Sequence, residues 1–258
     1  VGVNVASDAL ANLSSSGVTG GALIIVGEDF GEGSSIMQER THPFAMKSQF
    51  WLLDPRPNLP SIVKAVGDGF ELSEASNTPV MLTVRIRACH VTGIFETSNN
   101  KRPPLSVREA LANPRKDFQR VVIPPWTYMH EKDKAEKRWP AAEKYIMEKN
   151  LNEVFGPDKA DIGIVCQGGM YNGVVRALQR IGLADIYGNT EVPIYCLNVT
   201  YPLVEKEFLK FCEGKPSVLV VEEGAPEFIE QTLTTMVYRS DSNVQLFGRK
   251  YLPSVGEL

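Results

Sequence analysis

The apolar positions of this chain follow two spacings that alternate along its length. Val5, Ala9, Leu10 and Leu13 recur near helical spacing within residues 4–15, with Asn4 or Ser7 placed to cap the helix and Ser14–Gly17 to end it. Ala22–Val26 is a short, unbroken apolar run between glycines, the pattern of a strand buried on both faces. Residues 35–46 read as a helix broken at Pro43. Trp51–Leu53 reads as a strand closed by the turn Asp54-Pro-Arg-Pro57. Residues 60–76 form a helical pattern with Ile62, Val63, Val66, Phe70 and Leu72 on its apolar side. Gly67 and Gly69 weaken it by roughly 1 kcal/mol each. Pro79–Ile86 is a further strand. Such alternation of helix and strand predicts a parallel sheet covered by helices.

The character changes after residue 96. Thr97–Pro104 is a connector by composition, Ile123–Trp126 is extended, and residues 130–150 form a highly charged helix with Trp139, Tyr145 and Ile146 as anchors. A second half then starts. Ala160–Cys166, Ile194–Val199, Ser217–Glu222 and Asn243–Phe247 read as strands. Helices fall between them at Tyr171–Ile181, at Glu205–Cys212 and from Pro226 to about Tyr238. The predicted fold class is α/β, with two parallel-sheet αβα layers and a linker between them.

Composition narrows the function. The 258 residues are 43% hydrophobic and 22% charged, as in ordinary globular proteins, and the net charge of −4 gives no broad cationic field for nucleic acid or a membrane surface. Lys134, Lys137 and Arg138 cluster, but Glu131, Asp133 and Glu136 interleave with them, as on a solvated, salt-bridged helix face. Cys89, Cys166, Cys196 and Cys212 make no CxxC pair, so neither a zinc nor an iron–sulfur site is expected from this chain alone. Two of them lie in apolar runs, as reduced thiols do in a cytoplasmic protein. No apolar run approaches the roughly 18 residues of a membrane span, and no secretory leader pattern is present. The chain starts Val1-Gly-Val-Asn4 and stops at Leu258 with no closing element, so a piece of a longer polypeptide is expected.

Candidate chemistry sits in three glycine-bearing loops after strands: residues 27–35, 167–170 and 222–226. In open parallel sheets ligands bind beyond the carboxyl ends of strands, and glycine lets backbone amides approach them. None of the loops matches GxGxxG or a Walker sequence, so each also reads as a tight strand–helix turn. The first is the richest: Gly31, Glu32, Gly33, Ser34 and Ser35 offer amides and hydroxyls. Arg40 offers a guanidinium for a carboxylate or phosphate, or a salt bridge to Glu39, Glu32 or Asp29. His42 stands beside it, as a site residue or as a packed one. His90 follows a strand on which alternation places Arg85, Arg87 and Cys89 on one face, for an interface, ion pairs or catalysis. Glu222 and Glu223 read as an acid pair, or as buried packing, or as charge complementing a helix N-terminus.

Several motifs, taken in order, resemble a family. Gly20–Val26, Asp29 with Gly31–Ser35, and Gln38-Glu-Arg40 are similar to the thiamine-diphosphate-dependent 2-oxoacid:ferredoxin oxidoreductases, and within them to the long, fused, indolepyruvate-oxidising branch. Arg85–His90, Gly168–Asn172, Asn198–Pro202 and Val220–Gly224 continue the likeness over nearly the whole chain. The resemblance implies that residues 1–100 are the C-terminal part of a pyrimidine-type thiamine-binding domain. Residues 101–158 are then a linker, 159–252 a transketolase C-terminal-like domain, and 253–258 the start of a connection onward. It implies oxidative decarboxylation of an arylpyruvate, with the acyl group passed to coenzyme A and electrons passed through iron–sulfur clusters to ferredoxin. Arg40 then faces the substrate carboxylate, and the Gly31–Ser35 loop lies near the cofactor's aminopyrimidine. The activating glutamate and the magnesium–diphosphate motif are expected outside Val1–Leu258, the cluster cysteines are absent, and the isolated chain is expected to be inactive and to bind thiamine diphosphate weakly or not at all. A homo-oligomer is expected for the intact enzyme. The alternatives are a non-catalytic docking module of the same complex and part of a transketolase-like thiamine enzyme.

Overall fold

The computed structural model describes residues 2–30, 40–100, 106–114, 117–253 and 258. The first half contains α1 (Gly2–Ser16), β1 (Leu23–Glu28), α2 (Thr41–Ser48), β2 (Trp51–Leu53), α3 (Leu59–Ser76) and β3 (Val80–Arg85). A single helical turn, α4 (Ile86–Cys89), and a short helix, α5 (Val107–Ala112), follow. A long helical segment comes next, with α6 (Trp126–Asp133) and α7 (Trp139–Glu148) joined through a π turn at Lys134–Arg138. The second half contains β4 (Glu153–Phe155), β5 (Ile162–Gln167), α8 (Tyr171–Arg180), β6 (Ile194–Leu197), β7 (Val199–Tyr201), α9 (Glu205–Cys212), β8 (Ser217–Val221), α10 (Phe228–Arg239) and β9 (Gln245–Phe247).

Two sheets result, ordered β1-β3-β2-β7 and β4-β6-β5-β8-β9. Both are parallel except at β7 and β4, which pair antiparallel with β2 and β6. Alternation along each strand sends side chains to opposite helical layers. Val26, Leu52 and Met81 pack toward α1 and α2, while Trp51, Leu53, Val80 and Leu82 pack with Ala65, Leu72, Ala142 and Ile146 of α3 and α7. In the second sheet Val165, Tyr195, Val218 and Val220 meet α9 and α10, and Ile164, Cys166, Ile194 and Val221 meet α8. Burial on both faces is why the inner strands read as continuous apolar runs, but β1, expected to be buried on both faces, lies at the edge of its sheet and leaves Ile25 62% exposed.

Several local expectations change. Residues 35–39 of the helix expected over 35–46 lie outside the described residues. The helix that follows, α2, holds Pro43 in its first turn, where the missing N–H breaks no bond. In α3 the buried stripe is Ala65, Gly69, Leu72, Ser73 and Ser76, whereas Val63 and Phe70 are exposed. Gly69 belongs to that stripe because a Cβ there would meet Leu23 Cδ1 at 2.7 Å. Strand β3 ends at Arg85 and the chain turns into α4, so the strand expected to run through to Ile86 and His90 stops there, and the side chain of Arg87 lies outside the described residues. The charged helix carries the ion pairs Lys134–Glu131 and Lys137–Asp133, but Lys134 and Arg138 are buried. Arg138 Nε donates to Asp133 at 2.6 Å, and Nη1 donates to the carbonyls of Ser14 and Ser15 at the end of α1.

The run Ile194–Val199, expected as one strand, splits at Asn198. Residues before it pair in the second sheet and residues after it pair in the first. Asn198 makes the crossing. Its Nδ2 donates to the Leu151 carbonyl and to Glu153 Oε2, its Oδ1 accepts from Arg56 N–H, and its carbonyl accepts from Asp54 N–H. An asparagine side chain that competes for backbone partners is poorly suited to a strand interior and well suited to such a junction. Cys166 and Cys196 face each other across β5 and β6, both buried. The hydrogen bond to Cys166, and then burial, push the Cys196 thiol well above its ordinary range, so it is an inert core thiol.

Candidate functional site

The carboxyl ends of the two sheets face each other. Strands β1, β2 and β3 lead to Glu28, Asp54 and Arg85, and strands β5 and β8 lead to Gln167 and Glu222. Glu28, Asp29, Asp54, Arg85, Gln167, Glu222 and Glu223 are all buried there. Arg85 is the hub. Its Nη2 lies 2.5 Å from Asp54 Oδ2, its Nε lies 3.2 Å from Asp54 Oδ1, and its Nη1 donates to Glu223 and to Met170 Sδ. The Phe30 ring covers the guanidinium at 4.9 Å, a cation–π contact. Burial opposes the charge on Arg85, but Asp54 and Glu223 outweigh it and leave the pKa raised.

This arrangement explains the glycines after β5 and β8. A Cβ on Gly169 would overlap the Arg85 side chain, and one on Gly168 would overlap the Asp54 carbonyl. Gly224 has φ +91°, and its Cβ would meet the Phe30 ring at 2.8 Å. The close approach that glycine permits here is to side chains and backbone of the opposite sheet.

Glu28 ties down the start of α2, accepting from Arg40 N–H at 3.3 Å and from Thr41 N–H at 2.8 Å. Glu222 does the same for α10, accepting from Ile229 and Glu230 N–H at 3.0 Å. The helix-capping reading of Glu222 therefore holds. Burial pushes its carboxyl up to about 7, against the lowering pull of those amides and of Arg249. Glu223 accepts from Arg85 and from Leu258 N–H instead, so the two glutamates are not a mutual acid pair.

Of the residues singled out from sequence, Gly31, Glu32, Gly33, Ser34 and Ser35 lie outside the described residues. Arg40 stands at the lip of the strand-end cluster in the left-handed region, with φ 55° and ψ 61°. Its side chain is exposed, and it makes no ion pair among the described residues. His42 is packed beneath it, stacked on Phe228 at 5.6 Å and edge-on to Tyr201 at 6.5 Å. Burial lowers its pKa to about 4, despite the upward pull of Asp54, so it is a neutral, packed histidine at neutral pH. His90 is exposed and His130 is buried against the Gln119 carbonyl, so the three histidines share no site.

A cavity of about 60 Å³ lies among Glu28, Phe30, Arg40, His42, Gln167 and Glu222. A larger cleft of about 300 Å³ runs between α3 and the Asn150–Glu153 segment. Its charges are already paired: Arg56 binds Glu153 bidentately at 2.7 and 2.8 Å, and Lys64 binds Asp68 at 2.6 Å. Asp54, Arg85, Phe30 and Gln167 were not picked out from sequence as one cluster. The available signal was a charged residue directly after a buried strand, a position that demands a partner.

Among the described residues no three acids, histidines or cysteines are placed to share a metal ion. No helix among them is long and apolar enough to cross a membrane.

Residues 152–256 match the model of the indolepyruvate oxidoreductase domain. The chain is 33% identical over 231 residues to indolepyruvate oxidoreductase subunit IorA of Methanothermobacter thermautotrophicus, covering 88% of this chain and 35% of that protein. It is 26% identical over 261 residues to IorA of Pyrococcus horikoshii, covering 100% of this chain and 39% of the relative. The chain thus spans little more than a third of the length of these relatives. In fold it is similar to 2-oxoglutarate:ferredoxin oxidoreductase from Magnetococcus marinus, solved with 2-oxoglutarate, coenzyme A and succinyl-CoA, at TM-score 0.60 and 16% identity, covering 96% of this chain and 48% of the other. Residues 152–256 belong to the indolepyruvate oxidoreductase domain family, and the chain as a whole is related to part of the indolepyruvate oxidoreductase subunits.

Proposed function

We propose that this chain is part of an oxidoreductase that oxidatively decarboxylates arylpyruvates and transfers the acyl group to coenzyme A, with electrons passed to ferredoxin. On this reading residues 1–100 and 159–252 are a pyrimidine-type part and a transketolase C-terminal-like domain. The names of the relatives support the reaction class. The observation that carries the chain's own role is Arg40: an exposed guanidinium, free of ion pairs among the described residues, at the lip of the carboxyl ends of two parallel sheets. Such a group binds a 2-oxoacid carboxylate through two parallel N–H···O bonds, and lysine lacks that geometry. Glu28 fixes the Arg40 backbone, and neutral His42, held by Phe228 and Tyr201, packs beneath without adding charge.

Thiamine diphosphate supplies the carbanion chemistry in this reaction class. The described residues do not fit its magnesium–diphosphate half. No donor set for a metal exists among them, and the strand ends carry buried carboxylates that repel a diphosphate. That half of the cofactor and the iron–sulfur clusters belong, on this reading, to other polypeptide of the enzyme.

The test is steady-state kinetics of the intact enzyme carrying Arg40→Ala or Arg40→Lys. Both variants lower kcat/KM for an arylpyruvate, Arg40→Ala by about 10- to 150-fold, equivalent to a charge-assisted hydrogen bond of about 1.5–3 kcal/mol. One observation favours a second reading, a module that only docks other parts: Arg85 is paired with Asp54 and Glu223 across the two strand ends. That reading requires Arg40→Ala to leave turnover unchanged.

A further inference from the structure

We propose that Glu28 is a positioning residue for this reaction, whose buried carboxylate holds the Arg40 backbone in the left-handed conformation that directs the guanidinium. This inference rests on the reading of Arg40 as the carboxylate ligand. Glu28 is the last residue of β1 and is 3% exposed. Its Oε1 accepts from Arg40 N–H at 3.3 Å, and its Oε2 accepts from Thr41 N–H at 2.8 Å. These N–H groups stand at the start of α2, where no preceding turn supplies a carbonyl. One carboxylate thus serves two consecutive amides through charge-assisted bonds.

Arg40 requires such a restraint. At φ 55° and ψ 61° it lies in a region that strains a residue with a Cβ, and such a conformation persists only where its surroundings fix it. Among the described residues no other side chain bonds the Arg40 backbone. The far side of the turn is held independently of Glu28: His42 stacks on Phe228, and Ala45 is buried in the core with Phe50. When Glu28 loses its grip, α2 stays in place and Arg40 relaxes toward the right-handed or extended region. That rotation redirects its Cβ and the guanidinium beyond it.

The same contact keeps the guanidinium available. Glu28 is an acid within reach of Arg40, yet its two oxygens are bound to backbone amides. The guanidinium makes no ion pair among the described residues. Its charge and its fork of donors therefore stay open to a carboxylate from outside the chain.

The experiment is a double-mutant cycle in the intact enzyme with Arg40→Ala and Glu28→Gln, and in parallel with Glu28→Asp. Glutamine keeps the shape of the side chain but replaces one acceptor oxygen with an NH2 group, so one of the two amides loses its partner. Aspartate keeps the charge and both oxygens on a shorter stem. KM for the arylpyruvate, KM for coenzyme A and thermal unfolding are recorded for each variant.

Glu28→Gln is expected to raise KM for the arylpyruvate by about tenfold, the scale of one charge-assisted bond, with KM for coenzyme A unchanged. Glu28→Asp is expected to raise it less. In the Arg40→Ala background neither is expected to raise it further. If Glu28→Gln fails to fold, Glu28→Asp decides by the same cycle. A Glu28→Gln enzyme with wild-type KM, effects that add in full to that of Arg40→Ala, or equal shifts in both KM values overturn the positioning role while leaving the Arg40 reading intact. An Arg40→Ala enzyme with unaltered KM overturns the Arg40 reading, and this inference with it.

Discussion

Arg85 and Asp54 meet in a bidentate ion pair at the ends of neighbouring strands, with Nη2–Oδ2 at 2.5 Å and Nε–Oδ1 at 3.2 Å, and both side chains are buried. The same guanidinium reaches Glu223 of the other sheet. Each charge has left water and is compensated by its partners in the cluster, so removing one member leaves a buried charge short of its partner.

Removing one member exposes that dependence. Asp54→Ala leaves Arg85 short of its main partner, and a broken buried pair costs about 3–5 kcal/mol. Urea unfolding of the chain should show a midpoint lowered to match, with the slope unchanged. A loss below about 1 kcal/mol would mean that the pair is solvated and that the sheets are joined by other contacts.

The glycines give a steric test. Gly169→Ala places a methyl against Arg85 and its ion pair, and overpacking of this kind costs about 1–3 kcal/mol. Gly173, in α8, has open space where its Cβ would be. Gly173→Ala is therefore expected to stabilise by about 0.5–1 kcal/mol, as alanine does in helices. The opposite signs, read in one denaturation series, separate a packing role for Gly169 from ordinary helix propensity.

Two titratable groups, half-buried His42 and buried Glu222, have opposing pH dependences. The pKa of His42 is lowered from 6.5 to about 4, so between these values the unfolded chain binds the extra proton and stability falls as pH drops. The pKa of Glu222 is raised from 4.5 to about 7, so the folded chain binds the extra proton. Its contribution is full below pH 4.5 and is lost as pH rises through about 7. Each shift amounts to about 3 kcal/mol across its window. Where the windows overlap the slopes offset each other, and the wild-type chain should show a flat profile there. His42→Asn should leave stability declining with rising pH, and Glu222→Gln should leave it increasing. Stability measured from pH 4.5 to 7 in all three chains checks this; parallel profiles would contradict it.

What the sequence disclosed follows from which forces act locally. Continuous apolar runs and period-3.6 patterning marked nearly every long element, because inner strands covered on both faces and helices covered on one carry those patterns. The three-residue strand β4 and the split at Asn198 were not legible. Both depend on which distant strand is available to pair, which no local window records. Arg40 and His42 were noticed, yet burial and stacking on Phe228 decide that His42 is neutral, and Phe228 lies far along the chain. The Arg85 cluster escaped for the same reason: Asp54, Glu223 and Phe30 are unremarkable singly and acquire meaning only where the strand ends meet. The glycines at 168, 169 and 224 were visible, but their cause was a neighbouring guanidinium and ring on the opposite sheet.

The most direct measurement of the central claim is inhibition of the intact enzyme by an arylacetate and by the matching neutral arylacetamide, in wild type and in Arg40→Ala. If Arg40 binds the substrate carboxylate, wild type prefers the arylacetate by about tenfold or more, and Arg40→Ala loses that preference while the amide binds as before. An Arg40→Ala enzyme that keeps the full preference for the carboxylate contradicts the account.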